Sequence, residues 1–267
     1  MNTVDISSPH NRTLKQWRKL QHSRKERYRR RQLLIEGEKL FTEARKAGCQ
    51  FHAVLCAETR SLSDEWWDWV RREGIPVYVL SPPLFRDLME TDTPQGTGAV
   101  VDMPQAASFD LHKQNSLVLL LDRIQDPGNL GTLLRTAAAA GVTFVGLGKG
   151  TVDPYNPKVV RSAAGAIFRI PFQQVDLAEW ITRYQAVGGQ VVGTAADAGE
   201  LYHAVRYPER VALLLGNEGN GLASELRRMS DRNVQIPLAE GAESLNVSVA
   251  GAVLLYEIVR QRGGVSK

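Results

Sequence analysis

With 267 residues, 43% of them hydrophobic, the chain has enough apolar material for one large or two modest cored domains, which excludes a disordered or low-complexity protein. A formal net charge of +4 is too mild to define partners by itself, and two cysteines, Cys49 and Cys56, exclude a disulfide framework and fit a reducing cytoplasm. No apolar run reaches membrane-spanning length and the N-terminus lacks a signal-peptide core, so a cytoplasmic protein with no membrane partner is expected.

Residues 1–31 form a basic arm. From Arg12 to Arg31 the chain reads RTLKQWRKLQHSRKERYRRR, almost without acid. Such a block suits a phosphate backbone and equally a solvated, partly disordered tail. The two are compatible, because basic arms often order only on nucleic acid. Over 32–103 an α/β alternation follows. LLIEG is β-like, EKLFTEARKAG is an amphipathic helix, FHAVLCAE is a strand, and SDEWWDWVRREG is a helix with Ser63 as N-cap. IPVYVLS, a short helix PPLFRDLME and GTGAVVDM complete a small domain. Helical spacing puts Trp66, Trp69 and Val70 on one core-facing side and leaves Trp67 as the outward one. Cys49, His52 and Cys56 lie close together, but a structural zinc site needs a fourth ligand and none stands nearby, so no metal is expected. Residues 104–114 lose all periodicity and read as a linker.

A second alternation fills 115–267. SLVLLLDRI is a nearly continuous apolar strand, as in a sheet buried on both faces. DPGN reads as a turn, LGTLLRTAAAAG as a helix closed by Gly141, and VTFVGLG as the next strand. That βαβ unit implies parallel strands. Helix PKVVRSAAGAIF, strand RIPF, helix DLAEWITRYQAVGG and strands QVVGTAA and VALLLG continue the pattern. Helix GLASELRRMS, strand NVQIPL and a last helix from near Leu245 end it. The fold class is therefore α/β, with a mostly parallel C-terminal sheet.

Three segments share one layout of strand, polar or Gly-rich loop, then helix: DPGNLGTLLRTAAAAGV, LLLGNEGNGL and IPLAEGAESLNVSVAGAVLLYEIVRQ. Open α/β sheets hold ligands where strand ends meet helix starts. GLGKG at 146–150 fails the dinucleotide spacing, and Lys149 is followed by Gly150 rather than Ser or Thr, which argues against a nucleotide-dependent enzyme. In GNEGNG at 216–221 the glycines allow close backbone approach, and Glu218 suits a cationic or hydroxyl-bearing ligand better than a polyphosphate. A plain strand-to-helix turn gives the same pattern. Taken singly, Asn129 reads as a helix N-cap, Ser244 as a cap of the last helix, Asn246 as a first-turn residue and Arg135 as a helix arginine paired with a carboxylate.

Together, N-L-G-T-L-L-R-T at 129–136, L-G-N-E-G-N-G at 215–221 and I-P-L…S-L-N-V-S-V-A at 236–250 resemble, in order, three motifs of the SpoU (TrmH) family of the SPOUT class, S-adenosylmethionine-dependent RNA 2′-O-ribose methyltransferases. The likeness covers about 115 to 264. I-E-G-E-K-L at 35–40 and G-T-G-A-V-V at 96–101 give the first domain a weaker likeness to the ribosomal-protein-like substrate-binding domain often fused ahead of this catalytic domain. The resemblance implies a C-terminal trefoil knot, S-adenosylmethionine bent within it, and a homodimer formed through the catalytic domain. Carried over residue by residue, it implies cofactor contacts from Thr194, Gly216, Asn217, Gly219, Ile236, Leu238 and Leu245. It implies a polar active site of Asn129, Arg135, Glu218, Ser244 and Asn246. Arg161, in a helix of small residues, is expected to contact RNA or a second subunit. Structured RNA is expected on the small domain and basic arm, ribosomal RNA ahead of transfer RNA. A non-catalytic RNA-binding assembly factor is the rival class.

The cofactor's sulfonium methyl is already a strong electrophile, so the protein has to bind it, align a ribose hydroxyl behind the methyl and manage one proton. Arginine is effectively always protonated, and each pKa unit of forced deprotonation costs about 1.4 kcal/mol. Arg135 is therefore expected to hold a phosphate or ribose oxygen and stabilise alkoxide character, not to act as a base.

Overall fold

The chain folds as two α/β units, which the computed structural model describes over residues 3–105 and 109–264. Residues 106–108 of the expected linker, 1–2 of the arm and 265–267 lie outside the described residues.

The first unit runs to Gln105 and also takes in Tyr155–Phe168. Its strands are β1 (Thr3–Ile6), β2 (Gln32–Glu36), β3 (Phe51–Ala57), β4 (Val77–Leu80) and β5 (Thr97–Asp102), in the order β1-β4-β3-β5-β2. β1, β4 and β3 are parallel, and β5 runs antiparallel to both its neighbours. The helices are α1 (Arg12–His22), α2 (Arg24–Arg30), α3 (Glu38–Lys46), α4 (Asp64–Glu73) and α5 (Pro82–Met89). Side chains alternate across the sheet. Leu34, Leu55, Leu80 and Val100 meet α1 and α5 on one face. On the other face, Phe41 of α3 and Trp66 of α4 meet edge to face at 5.4 Å, with Phe51 beside them.

The basic stretch is thus not an arm apart from this domain. Leu14, Trp17 and Leu20 of α1 are buried in the core with Phe85 and Leu88. Buried Arg27 donates to the carbonyls of Leu20 and Gln21, at 2.8 and 3.1 Å, placing a cation at the C-terminal end of α1. Ser63 stands at the N-cap of α4 without capping it; its N–H and hydroxyl both donate to Glu38, at 2.8 and 2.9 Å. Burial pushes the thiols of Cys49 and Cys56 each up to about 11, which leaves them inert near neutrality.

The second unit holds β6 (Leu117–Leu121), β7 (Phe144–Leu147), β8 (Phe172–Gln174), β9 (Gln190–Thr194), β10 (Glu200–Leu201), β11 (Val211–Leu215) and β12 (Arg232–Gln235). All pair in parallel, in the order β10-β12-β9-β11-β6-β7-β8. Central β6 and β11 are buried throughout, which is why both read as unbroken apolar runs. Helices α6 (Pro127–Ala139), α8 (Leu177–Ala186), α9 (Ser224–Met229) and α10 (Val247–Gln261) cover the sheet. Trp180, Ile181 and Tyr184 of α8 pack on Val118, Leu120 and Leu214. α10 lies on α6, where Gly251 permits close approach: a Cβ there would stand 2.6 Å from Leu133.

Three expectations differ here. DPGN is not a free turn but the start of α6, with Asp126 as N-cap and Pro127 in the first turn. The helix expected over PKVVRSAAGAIF stops as α7 (Pro157–Ser162), because Ala164 and Gly165 turn left-handed, at φ 48° and 91°, before a short 3-10 turn. This segment belongs to the first unit, where the charge of Arg161 acts on the buried Glu36, so the catalytic stretch expected over 115–267 is interrupted. The strand expected at RIPF forms slightly later, as β8.

Candidate active site

The loop after β11 is built by its own asparagine. Asn217 and Gly221 exchange two backbone hydrogen bonds of 3.0 Å, while the Asn217 Oδ1 accepts from the N–H groups of Gly219 and Asn220, each at 3.0 Å. Gly221, at φ 62°, closes the turn. Gly216 has to be glycine because the loop returns onto it: a Cβ would stand 2.2 Å from the Gly221 carbonyl carbon and 2.3 Å from the Leu222 nitrogen. The Asn217 Nδ2 donates to the Arg123 carbonyl at 2.8 Å, tying the loop to the end of β6. Buried Asp122 accepts from the Ala223 N–H at 3.0 Å and holds it from the other side.

Among the described residues Glu218 has no arginine partner. Its carboxylate accepts from the N–H groups of Gln125 and Asp126, at 3.2 and 3.1 Å, and from the Asn129 Nδ2 at 3.2 Å. Partial burial pushes this carboxyl up, but its own backbone N–H, Asn129, Asp126 and Gln125 together hold it below the ordinary glutamate value. Asn129 is not the cap of α6, since its N–H donates to the capping Asp126 at 2.9 Å. Its side chain instead accepts from the Asn246 Nδ2 at 2.9 Å. Asn246, rather than Ser244, caps α10, its Oδ1 accepting from the N–H groups of Ser248 and Val249 at 2.9 and 3.4 Å. A chain of hydrogen bonds, Asn246 to Asn129 to Glu218, thereby links all three motif segments.

Beside this chain lies a cavity of about 340 Å³, within the usual range for small-ligand sites. Every expected cofactor residue lines it: Thr194, Gly216, Asn217, Gly219, Ile236, Leu238 and Leu245. Of the expected polar site, Glu218 and Ser244 line it, Asn129 stands one hydrogen bond behind Glu218, and Asn246 two. Arg135 does not line it; exposed on α6, its guanidinium has no hydrogen bond or ion pair among the described residues. The Thr194 hydroxyl is spent on the Leu214 carbonyl at 3.3 Å, which leaves it a wall rather than a donor.

The wall is apolar through Ile236, Leu238, Leu245 and Leu254, and Leu245 remains 40% exposed there, a surface that a bound aromatic ring would cover. Among the described residues no lysine or arginine lines the cavity, whereas two carboxylates do, Glu218 and Glu243. That charge suits a cationic ligand and opposes a dinucleotide with its pyrophosphate. Sequence reasoning missed Glu243 and Asp122. The signals were a second acid in the same loop as Ser244, and a lone acid ending an otherwise apolar strand. Among the described residues there is no cluster of three or more metal-ligating side chains, and no helix long and apolar enough to cross a membrane.

Residues 116–256 match the SpoU rRNA Methylase family, and residues 11–99 match the MRM3-like substrate binding domain, which begins within the basic stretch. The chain is 42% identical over 254 residues to the 23S rRNA (guanosine(2553)-2′-O)-methyltransferase RlmP of Bacillus subtilis, covering 95% of this chain and 98% of that protein. Among solved structures, an AdoMet-bound rRNA methyltransferase from Sinorhizobium meliloti superposes with a TM-score of 0.85 at 28% identity, covering 99% of both chains. The SpoU methyltransferase AviRb from Streptomyces viridochromogenes, in complex with AdoMet, gives 0.83 at 31% identity, covering 96% of this chain and 100% of that one.

Proposed function

Because the chain belongs to the SpoU rRNA Methylase family, we propose that it transfers the methyl group of S-adenosylmethionine to a ribose 2′-hydroxyl of ribosomal RNA in the cytoplasm. The observation that carries this reading is the cavity: three motif segments joined by Asn246, Asn129 and Glu218 beside a cation-free pocket that fits a positively charged cofactor.

When bound, S-adenosylmethionine supplies a methyl already activated by positive sulfur. The protein's part is positioning. Gly216 lets the 216–221 loop fold back on itself at the cavity wall, and Ile236, Leu238 and Leu245 offer an apolar slot for the adenine. Glu218 is a poor general base, since N–H donors already occupy it and hold its carboxyl low. Its work is to fasten the 216–221 loop to the start of α6. Asn129 and Asn246 keep that junction in register, and Ser244 lines the cavity. Arg135 provides a partner-free positive charge for RNA phosphate or for negative charge developing on the ribose oxygen.

The homodimer belongs to the same proposal. Val249 and Tyr256, one stripe of α10, are 49% and 48% exposed, and Arg135 lies outside its own cavity, which favours a site completed by a second copy. The trefoil knot belongs to it too, supported by a strand order in which β9 separates β12 from β11.

The test is transfer of labelled methyl from S-adenosylmethionine to transcribed 23S ribosomal RNA and to unmodified transfer RNA, with Arg135→Ala as control. Ribose-methylated nucleoside from the ribosomal transcript, absent in the control, is expected. Label in transfer RNA alone would overturn the substrate class, and cofactor binding without any transfer would favour an assembly factor.

A further inference from the structure

Helix α1 contains no acidic residue, yet its cations are not equivalent. On the side of α5 Arg18 is neutralised by Asp87, and the His22 ring stands 3.3 Å from Glu90. Arg12, Lys15 and Lys19 recur at i, i+3 and i+7, which is one stripe about 10 Å long at 1.5 Å per residue. All three are exposed, and none has an acidic partner among the described residues. α2 extends the field with exposed Lys25 and with Arg24, whose guanidinium lies 5.1 Å from the exposed Tyr28 ring. On the opposite face of the sheet the cations of α3 and α4 are interspersed with acid: α4 opens with Asp64 and Glu65, Arg71 pairs with Asp68 at 3.5 Å, and Arg45 of α3 stands 3.9 Å from Glu65.

Three exposed cations in one helical stripe, none with an acidic partner among the described residues, repel one another unless an anion meets them. The apolar side of α1 is consumed by the core through Leu14, Trp17 and Leu20, so no greasy face remains to enter a lipid surface. We propose that the stripe Arg12–Lys15–Lys19, continued by Arg24 and Lys25, is the surface on which this protein grips the phosphodiester backbone of its RNA. This rests on the RNA methyltransferase reading and adds where the substrate is held. The grip reads charge, not base sequence, so it sets affinity and salt dependence and leaves the choice of nucleotide to the cavity.

The experiment uses the full chain with Arg12→Gln, Lys15→Gln and Lys19→Gln combined. Binding to transcribed 23S ribosomal RNA is measured across a salt series, beside Arg71→Gln/Arg72→Gln on α4. Losing three phosphate contacts should flatten the log–log salt slope by about 2 to 3 and weaken binding on the order of a hundredfold at about 0.1 M salt. S-adenosylmethionine affinity should stay at its wild-type value and the melting temperature should not fall below it, because the triple variant relieves repulsion without touching the core, and Lys15→Arg/Lys19→Arg should bind like wild type. A wild-type slope in the triple variant, or a larger loss in the α4 variant, overturns the proposal. So does a loss confined to vesicles of phosphatidylserine with RNA binding intact. If the unaltered protein neither binds nor methylates the transcript, the function proposed above falls first, an outcome distinct from an active enzyme indifferent to its α1 charges.

Discussion

Replacing Gly216 by alanine tests the cavity at its tightest point. The added Cβ would stand 2.2 Å from the Gly221 carbonyl carbon and 2.3 Å from the Leu222 nitrogen, both backbone atoms that no rotamer change can move. Relief requires the turn to open by more than 1 Å, since carbon atoms rest at about 3.5 to 4.0 Å. Opening it breaks the two 3.0 Å bonds between Asn217 and Gly221. Overpacking costs about 1–3 kcal/mol and each of the two lost hydrogen bonds about 0.5–1.5 kcal/mol, so roughly 4 kcal/mol is expected. That corresponds to a melting temperature lower by about 8–16 °C and, if the penalty falls on the ligand-ready loop, to cofactor binding weaker by roughly three orders of magnitude. Gly219→Ala is the internal control: it lines the same cavity, but its Cβ would meet only the Asn217 Oδ1 at 3.7 Å. Its melting temperature should match wild type. Calorimetric titration with S-adenosylmethionine and thermal unfolding decide the matter. A Gly216→Ala protein with normal stability and affinity would refute the loop geometry and the pocket with it.

Asn246→Ala should lose about 0.5–2 kcal/mol with the cap of α10, whereas Asn246→Asp keeps an acceptor for the Ser248 and Val249 N–H groups but cannot donate to Asn129. Stability restored without methyl transfer would separate capping from catalysis; activity restored as well would leave Asn246 a cap only. Arg135→Ala should abolish methyl transfer while cofactor affinity stays within a few-fold, and a fully active variant would remove Arg135 from the mechanism. Glu243→Lys should weaken S-adenosylmethionine more than its demethylated product, which lacks the sulfonium charge; equal losses in paired titrations would place Glu243 away from that charge. Burial pushes the Glu36 carboxyl up, so ionised Glu36 costs stability once pH rises from the ordinary carboxylate value through the raised one. Glu36→Gln, which still accepts from the Gln95 N–H, should therefore melt higher near neutral pH and lose that advantage by about pH 4, as thermal scans at the two values would show.

The catalytic stretch was legible because its elements obey local rules. β6 and β11 are unbroken apolar runs since both lie inside a parallel sheet, and the three loops sit where such strands give way to helices. The residues expected around the cofactor fall on the wall of one cavity, yet the way they are fastened to one another was not legible. Asn129 and Glu218 are 89 residues apart in sequence, and no local pattern says that one amide bridges the other's carboxylate to Asn246. Asp126, one residue before Pro127, took the capping role assigned to Asn129 because proline fits the first turn. At the N-terminus charge hid structure. Leu14, Trp17 and Leu20 fall on one helical face, but the surrounding arginines and lysines dominate the composition and suggest disorder. Deleting residues 1–31 would thus remove part of a core, so point charges, not truncation, are the informative perturbation.

Charge placement ties these observations to the chemistry. An enzyme that joins a cationic cofactor to a polyanion faces opposite electrostatic demands, and here the two are met by different side chains. Among the described residues the cavity is walled by apolar residues and two carboxylates with no lysine or arginine, while the exposed cations of α1, α2 and Arg135 stand outside it. Were a basic residue of the RNA grip to line the cavity, it would repel the sulfonium and invite phosphate into the cofactor's place. Glu218 shows the same economy at closer range. Fastened by N–H donors, it keeps its negative charge at neutral pH without needing a cation beside it. Neutral amides, those of Asn129 and Asn246 included, can then set the geometry while the field inside the pocket stays negative, the sign that favours the charged cofactor over its neutral-sulfur product.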